Sequence, residues 1–351
     1  MRISFFIGSL RRAGAERVLS ILANHYADLG HDIEIVLLLS DEVGYELNPT
    51  IRIVRMVGKQ KSHIANLPFW VNGIRKYIKT REPEKLVSFA GRINVLLLMA
   101  SIGMGIPVIV SERNDPMHDG RSKLMLKICD IMYKVSDAIV FQTKYEKSCF
   151  SKSIGGKSYI IPNPVRVNIR NVPKVENWVT TAGRLLPQKN HKMLIETASI
   201  LKSRNLQLRI DIFGDGSLKD DLIKLIKEKN IEDTVFLRGN VSDLHERIQG
   251  STIFVMTSDY EGLSNSLIEA QMMGFPCIST DYPGADELIK NRVNGIIVKR
   301  NDAFELANAI QELIENPELR SSLQDNALEN AKNYTFDVVL KQWDNVILGG
   351  E

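Results

Sequence analysis

Hydrophobic and polar positions alternate between two patterns along the whole chain. Short, nearly continuous apolar runs predict strands that are covered on both faces, and the amphipathic stretches between them predict helices. In the first half, the predicted strands are 3–7, 33–39, 51–56, 86–89, 108–110, 138–141 and 159–161, and the predicted helices are 15–29, 67–80, 92–102, 121–134 and 144–150. This alternation is typical of a parallel sheet with helices on its faces.

The alternation starts again after Pro162-Asn163-Pro164. The predicted strands are then 178–182, 208–213, 235–237, 253–256, 277–279 and 295–298, and the predicted helices are 191–203, 217–229, 265–273, 302–315 and 317–332. A chain of 351 residues is long enough for two domains. We therefore predict an α/β protein with two doubly wound, Rossmann-like domains. Ligands of such sheets bind beyond the carboxyl ends of the strands, so the expected site is a cleft between facing domains.

One apolar stretch, 93–110, is long enough to resemble a membrane span. Gly103, Gly105 and Pro107 interrupt it, and we predict a buried helix followed by a buried strand. The apolar segment at 2–8 is too short for a signal peptide and is better explained as the first strand. These segments favour a cytoplasmic protein without a membrane-spanning helix.

The formal net charge of +3 conceals an asymmetry between the two halves. Residues 1–165 contain 23 Lys and Arg against 15 Asp and Glu, which gives +8, and residues 166–351 contain 22 against 27, which gives −5. A basic first half indicates an anionic ligand or surface. Because no basic repeat interleaved with aromatic residues is present, we do not expect a nucleic-acid partner.

The three cysteines show no spacing typical of a disulfide framework or a zinc site. They are Cys129, Cys149 and Cys277, and all lie in apolar or helical contexts. Buried thiols in a reducing compartment explain them best. The chain also has no Asp-x-Asp pair and no His/Asp cluster, so we predict neither a catalytic metal nor a cofactor.

Two glutamates eight positions apart, Glu261 and Glu269, flank a predicted loop and helix start. The residues between them begin with Gly262, Leu263, Ser264, Asn265 and Ser266. The first backbone N–H groups of a helix have no partner within the helix, and small polar residues there leave room for an anion. The alternative is that neither glutamate binds a ligand, one being a surface carboxylate and the other facing the helix.

Two cations, Arg184 and Lys189, follow another predicted buried strand. Beside a cleft they could neutralise an anionic group on which negative charge grows during a reaction. Two solvated surface cations are the alternative. Near the amino terminus, Gly14 lies in the first strand-to-helix loop, where a residue without a side chain lets backbone N–H groups approach a phosphate at a helix start near Ala15.

These motifs together resemble the retaining, nucleotide-sugar-dependent glycosyltransferases of family four, which have the GT-B fold. The resemblance is carried by RRAGAER at 11–17, SERN at 111–114, IPNPV at 161–165, AGRLLPQKNH at 182–191 and the glutamate segment with its Gly-Phe-Pro sequel at 261–276. The order of the motifs is that of the family, and they span nearly the whole chain. SERN is similar to a subgroup that builds bacterial polysaccharides and lipid-linked oligosaccharides. Where the family usually has two glycines, this chain has Ala13-Gly14.

The resemblance implies three segments and a division of labour at the site. Residues 1–163 would bind the acceptor, 164–332 would bind the nucleotide sugar, and 333–351 would form a helix that packs back on the first domain. Arg184 and Lys189 would hold the donor diphosphate, Glu261 the sugar, and Glu269 the ribose. Backbone N–H groups of Asn265 and Ser266 would bind phosphate oxygens, and base contacts are expected near 239–242. The catalytic residues would be Arg184, Lys189 and Glu261.

The acceptor side is predicted from Arg113 and Asn114, which end a strand where many relatives carry His-Asp. An arginine suits an acceptor with a phosphate or diphosphate. The alternative is that Arg113 pairs with Glu112. His118 is expected to be peripheral, and His191 is expected to support the site without contacting the donor.

Two amphipathic segments, 69–81 and 121–134, carry Lys and Arg on one face. Any surface helix has this appearance. Together with the +8 charge and an exposed Trp70, however, they favour peripheral contact with an anionic membrane.

We therefore expect a retaining, metal-independent glycosyltransferase. It would transfer a hexose or N-acetylhexosamine from a nucleotide sugar, with UDP favoured, to a glycan or lipid-diphosphate-linked acceptor at the cytoplasmic membrane face. The alternatives are a nucleotide-sugar 2-epimerase of the same fold and a non-catalytic sugar-nucleotide sensor.

Overall fold

The computed structural model describes residues 1–58, 63–167 and 172–349. It divides into two compact units. The first unit contains Met1–Pro164 and the chain from Val339 on, and the second unit contains Val165–Val338. Each unit is built around one parallel sheet.

The first unit has a seven-stranded sheet with the order β3-β2-β1-β4-β5-β6-β7. Its strands are β1 (Arg2–Ile7), β2 (Asp32–Leu37), β3 (Arg52–Arg55), β4 (Lys85–Phe89), β5 (Val108–Ser111), β6 (Ala138–Phe141) and β7 (Ser158–Ile160). Its helices are α1 (Gly14–Asp28), α2 (His63–Arg81), α3 (Gly91–Ser101), α4 (Lys123–Tyr133) and α5 (Lys144–Ser148). Every strand predicted in the first half is confirmed, and the apolar stretch 93–110 is the end of a buried helix followed by a strand.

The second unit has a six-stranded sheet with the order β10-β9-β8-β11-β12-β13. Its strands are β8 (Trp178–Ala182), β9 (Arg209–Phe213), β10 (Val235–Gly239), β11 (Ile253–Met256), β12 (Cys277–Thr280) and β13 (Ile296–Val298). Its helices are α6 (His191–Ser203), α7 (Lys219–Glu228), α8 (Leu244–Ile248), α9 (Asn265–Met272), α10 (Ala285–Leu288), α11 (Ala303–Glu315) and α12 (Pro317–Ala331). The predicted strands are again present. Helices α8 and α10 were missed because about one turn of helix has no detectable periodicity.

Both sheets are covered on their two faces, as the continuous apolar runs predict. Phe5 and Phe6 are neighbours in β1 and point to opposite faces of the sheet, yet neither side chain is exposed. The same holds for Phe254 and Val255 in β11. The polar groups that remain for chemistry therefore lie on the loops at the strand ends.

The last helix, α13 (Phe336–Asp344), brings its final turns into the first unit. Trp343 is fully buried and stacks on Phe89 with ring centroids 5.9 Å apart. Asp344 Oδ1 lies 3.0 Å from His25 Nε2 at the end of α1. None of the helices in the described part of the chain combines the length and the apolar character needed to cross a bilayer.

Candidate active site

The order of the second sheet reverses between β8 and β11, which lie side by side. The loop after β8 carries Arg184 and Lys189, and the loop after β11 carries Glu261. In a doubly wound sheet, the connections from two such strands go to opposite faces and leave a crevice at their carboxyl ends. The fold therefore brings these three predicted residues to one edge of the sheet, although about 70 positions separate the two loops in sequence.

Lys189 and Glu261 form an ion pair. Lys189 Nζ lies 2.5 Å from Glu261 Oε1, and the two side chains are 17% and 9% exposed. Ser258 Oγ donates to the same carboxylate oxygen at 2.5 Å, and Gln188 Nε2 donates to Oε2 at 3.3 Å. The sequence motifs assigned the lysine and the glutamate to different parts of the donor and gave no indication that they contact one another.

The backbones of the two loops are also joined, which fixes the ion pair in place. Asp259 N donates to Gln188 O at 2.9 Å, and Thr257 Oγ1 donates to Lys189 O at 2.8 Å. Asn190 caps α6 from the left-handed region, with φ 44°, and its Nδ2 donates to Asp259 Oδ1 at 3.0 Å. These contacts hold Lys189 and Glu261 on a rigid support, as a preorganised site requires.

Arg184 is exposed, and its guanidinium has no hydrogen-bond or ion-pair partner among the residues that the structure describes. The loop beneath it is closely packed. Gly183 N donates to Phe213 O at 2.9 Å, and a Cβ added at Gly214, where φ is +143°, would lie 1.9 Å from Gly183 O. Only glycine fits at Gly214, so the path of the Arg184 loop depends on the loop after β9.

His191 is buried at the first residue of α6. Burial, with a smaller contribution from Lys189, lowers the pKa of His191 to about 4. The imidazole is therefore neutral at pH 7, and it adds no charge to that of Arg184 and Lys189.

The predicted anion site at the start of α9 has the expected local structure. Ser264 caps the helix, since its Oγ accepts from Leu267 N at 3.3 Å. Glu269 lies in the second turn and is 8% exposed. Its carboxylate Oε2 lies 3.3 Å from Nε2 of His245, a residue of α8 that the sequence motifs did not indicate. No spacing signal could have found this pair, because it joins two separate strand–helix units.

Among the first-unit residues, Gly14 is the first residue of α1, one position before the predicted start. No atom lies within 4 Å of the position that a Cβ would take on Gly14. The space beside it is open, and its role as a phosphate contact stays a prediction.

Arg113 is 5% exposed and sits above the rings of Phe89 and Trp343, with Cζ 5.3 and 5.1 Å from their centroids. Its Nη1 donates to Asn163 Oδ1 at 2.9 Å, while Nε and Nη2 are buried without a partner among the described residues. Burial lowers the pKa of Arg113, but a guanidinium stays charged at neutral pH. Asn114, by contrast, is exposed.

The alternative prediction, that Arg113 pairs with Glu112, was wrong. Glu112 is fully buried and pairs with Arg121 through two hydrogen bonds of 2.8 and 2.9 Å, and Tyr133 donates to the same carboxylate. The wrong inference came from adjacency in sequence: at a strand end, neighbouring side chains point to opposite sides. Only the tertiary fold brings the basic residue nine positions later back to Glu112.

Two family models match the chain. Residues 12–168 match Glycosyltransferase Family 4, and residues 166–330 match Glycosyl transferases group 1.

The chain belongs to these glycosyltransferases.

The predicted resemblance is thus confirmed. This glycosyltransferase is 26% identical over 362 residues to a Campylobacter jejuni protein, covering 99% of this chain and 98% of the relative. That relative is named GalNAc-α-(1→4)-GalNAc-α-(1→3)-diNAcBac-PP-undecaprenol α-1,4-N-acetyl-D-galactosaminyltransferase. The chain described here is also 24% identical over 351 residues to an uncharacterised glycosyltransferase of Haemophilus influenzae, covering 99% of each chain.

The fold agrees with that of solved glycosyltransferases. HepE of Anabaena, solved in complex with UDP, has a TM-score of 0.84 at 18% identity, covering 98% of this chain and 99% of HepE. The lipopolysaccharide outer core galactosyltransferase WaaB has a TM-score of 0.82 at 18% identity, covering 99% of each chain. Both are GT-B enzymes, so the predicted fold class is confirmed.

The two basic helices of the glycosyltransferase differ in what they expose. The expectation of an exposed Trp70 on α2 was wrong: Trp70 is 5% exposed, and its Nε1 donates to two backbone carbonyls, at 3.1 and 3.0 Å. On the same helix, Arg75 donates to Ala100 O and Arg81 pairs with the buried Glu34, so these cations stabilise the fold.

Helix α4 and the residues just after it instead present an apolar stripe to solvent. Leu124, Ile131 and Val135 are 68%, 61% and 57% exposed. Three exposed lysines accompany them: Lys123, Lys127 and Lys134. We call these six residues the α4 face.

Proposed function

We propose that this glycosyltransferase transfers a hexose or N-acetylhexosamine from a nucleotide sugar, with a UDP-sugar favoured, to a glycan or polyprenyl-diphosphate-linked acceptor. The reaction retains the anomeric configuration and needs no metal ion. The observation that carries the proposal is the joint position of Arg184, Lys189 and Glu261, on rigid loops where the strand order of the second sheet reverses.

The two cations would act on the leaving group. When the bond between the anomeric carbon and the diphosphate oxygen breaks, negative charge accumulates on that oxygen. Arg184 has its guanidinium available, and Lys189 is held by backbone contacts of its own loop. The first-turn N–H groups of α9, at Asn265 and Ser266, would bind phosphate oxygens. One preorganised charge-stabilising group of this kind changes turnover by about 10²–10³-fold.

Glu261 would bind the donor sugar. Its side chain is 9% exposed and already accepts from Lys189, Ser258 and Gln188, which suits a fixed acceptor for sugar hydroxyls better than a free nucleophile. Retention would then follow from front-face attack, in which the departing phosphate itself takes the acceptor proton. Glu269 would hold the ribose hydroxyls, and Gly262, Leu263 and Ser264 would line the backbone path between the two carboxylates.

Several observations support the choice of substrates. HepE, with the same fold, is solved with UDP, and the Campylobacter relative acts on an undecaprenyl-diphosphate-linked glycan according to its name. The excess of +8 in residues 1–165 suits an anionic acceptor. We further propose that the α4 face contacts an anionic membrane surface, because apolar side chains flanked by lysines suit the lipid interface. Arg113 and Asn114 stay our proposed acceptor residues, with Asn114 the more accessible of the two.

The experiment combines binding with product analysis. Purified protein is first tested by thermal shift against UDP, GDP, ADP, TDP and their sugars, where a ligand at a hundredfold excess over Kd stabilises by roughly 2.7 kcal/mol. The stabilising nucleotide sugar is then incubated with lipid-diphosphate-linked acceptors, with and without EDTA, and the product is examined by NMR. An acceptor-dependent product with the donor's anomeric configuration, formed in EDTA, is expected. Isomerised nucleotide sugar formed without acceptor would instead establish an epimerase, and binding without turnover would indicate a sensor.

A further inference from the structure

We propose that His245 is a positioning residue for the nucleoside part of the donor, acting through the carboxylate of Glu269. This inference rests on the proposed function, in which Glu269 binds the ribose. His245 lies in α8, a helix of five residues, and its Nε2 is 3.3 Å from Glu269 Oε2. The two side chains are 21% and 10% exposed.

The carboxylate of Glu269 is largely buried. A carboxylate buried to this extent requires hydrogen-bond donors, because removal from water without a partner is costly. The Nε2 atom of His245, 3.3 Å from Glu269 Oε2, is placed to supply such a donor and to restrict the rotamer of the glutamate. A carboxylate has about four lone-pair sites, so a contact with the imidazole is compatible with accepting hydrogen bonds from ribose hydroxyl groups.

Helix α8, which carries His245, is placed by the loop that precedes it. A short loop joins α8 to Gly239, the last residue of β10, where φ is +71°. Gly214 N donates to Gly239 O at 2.8 Å, so this loop is joined to the loop after β9. The nucleotide base is expected at 239–242. His245 therefore connects the carboxylate proposed for the ribose with the loop proposed for the base.

The contact that His245 makes differs from an ordinary surface contact on the same helix. On the same helix, Arg247 pairs with Asp243 at 2.8 Å, and their side chains are 55% and 44% exposed. That pair is a solvated contact of neighbouring turns, which contributes little. His245 reaches instead to α9, across a different strand–helix unit, and its partner is the second glutamate of the sequence motif. The geometry thus assigns His245 to the site and Arg247 to the surface.

The test compares ribose discrimination between variants by isothermal titration with UDP and with 2′-deoxy-UDP. Wild type is expected to prefer UDP. His245→Leu should weaken UDP binding by about five- to tenfold, the scale of one ordinary hydrogen bond, while 2′-deoxy-UDP binding changes little. His245→Gln, which keeps an N–H donor, should restore most of the preference. At saturating donor, kcat should stay near the wild-type value while the donor KM rises.

Two further variants make the outcomes distinct. His25→Leu removes a histidine–carboxylate pair of similar length in the first unit, 3.0 Å to Asp344, and should leave both affinities unchanged. Glu269→Ala tests the ribose role itself. If Glu269→Ala lowers UDP affinity but His245→Leu does not, or if His245→Leu weakens both nucleotides equally, His245 is not a positioning residue. If wild type does not distinguish UDP from 2′-deoxy-UDP, or if Glu269→Ala keeps the wild-type preference for UDP, the ribose role of Glu269 fails, and the inference about His245 falls with it.

Discussion

Replacement of Glu261 by glutamine should change the affinity for UDP, and the direction of that change distinguishes two roles of Glu261. If Glu261 is only a sugar ligand, Glu261→Gln should leave the affinity for UDP, which lacks the sugar, unchanged. The ion pair of 2.5 Å with Lys189 leads to a different expectation. The carboxylate neutralises a cation that the diphosphate needs, and it also repels the diphosphate. Glu261→Gln should therefore bind UDP more tightly.

The magnitude follows from the charges. At an effective dielectric constant of about 20, two unit charges about 7 Å apart interact by about 2 kcal/mol. Allowing for partial solvent access, the loss of this repulsion should tighten UDP binding by about 1–2 kcal/mol, or about five- to thirtyfold. The free protein should lose about 1–3 kcal/mol of stability, because Lys189 is only 17% exposed and loses its partner. Turnover should fall, because the sugar loses a charged acceptor.

The assay is isothermal titration of UDP at low and at moderate ionic strength, together with thermal unfolding and donor-saturated turnover. Ser258→Ala is the matched control, since it removes a hydrogen bond of 2.5 Å to the same carboxylate oxygen without changing the charge. It should not tighten UDP binding. The electrostatic reasoning is refuted if Glu261→Gln binds UDP as wild type does, or more weakly, at low salt while remaining folded.

Three further predictions follow from other parts of the structure. Arg184→Ala should lower turnover by about 10²–10³-fold with little change in thermal stability, since the guanidinium is exposed, and near-normal turnover would remove it from the leaving-group site. Gly214→Ala should cost about 3 kcal/mol or more in denaturant unfolding, whereas Gly239→Ala, where φ is +71° but no atom lies within 4 Å, should cost only about 1–2 kcal/mol; similar losses would contradict the close approach at Gly183. Serine at the three lysines of the α4 face should reduce sedimentation with anionic vesicles while UDP affinity stays unchanged, and wild type that binds neither anionic nor neutral vesicles would exclude this face as a membrane contact.

The sheets could be predicted from sequence because their strands are buried on both faces. The run at 253–256 contains no polar residue, which fits a strand buried on both faces. The restart of the pattern after Pro164 separates the two sheets. The short helices α8 and α10 could not be predicted in this way. Helix α8 has five residues, and what fixes it is the tertiary environment of Ile248, which is 2% exposed. His245, carried by that helix, was missed for the same reason.

The errors at polar side-chain groups have one physical origin. Sequence adjacency suggested that Glu112 pairs with Arg113, and amphipathic spacing suggested that Trp70 is exposed. In the fold, Glu112 pairs with Arg121, and Trp70 donates to two backbone carbonyls. A buried polar group takes the partner that the fold brings into reach, since leaving it without one costs more than any local preference contributes. Pattern analysis indicates which residues are polar but does not indicate their partners.

The same principle explains why the site contains an ion pair rather than two independent ligand contacts. A site for a diphosphate must hold cations on rigid supports before the ligand arrives, and a partly buried cation without a counter-charge destabilises the folded protein. Glu261 supplies that counter-charge to Lys189 from the neighbouring strand-end loop, whereas the exposed Arg184 needs none. Any donor must then compete with Glu261 for Lys189. A donor whose sugar hydroxyls occupy the carboxylate while its diphosphate occupies the lysine satisfies both partners at once, and a nucleotide without the sugar satisfies only one. The ion pair thus gives the site a physical reason to prefer the complete nucleotide sugar over its product.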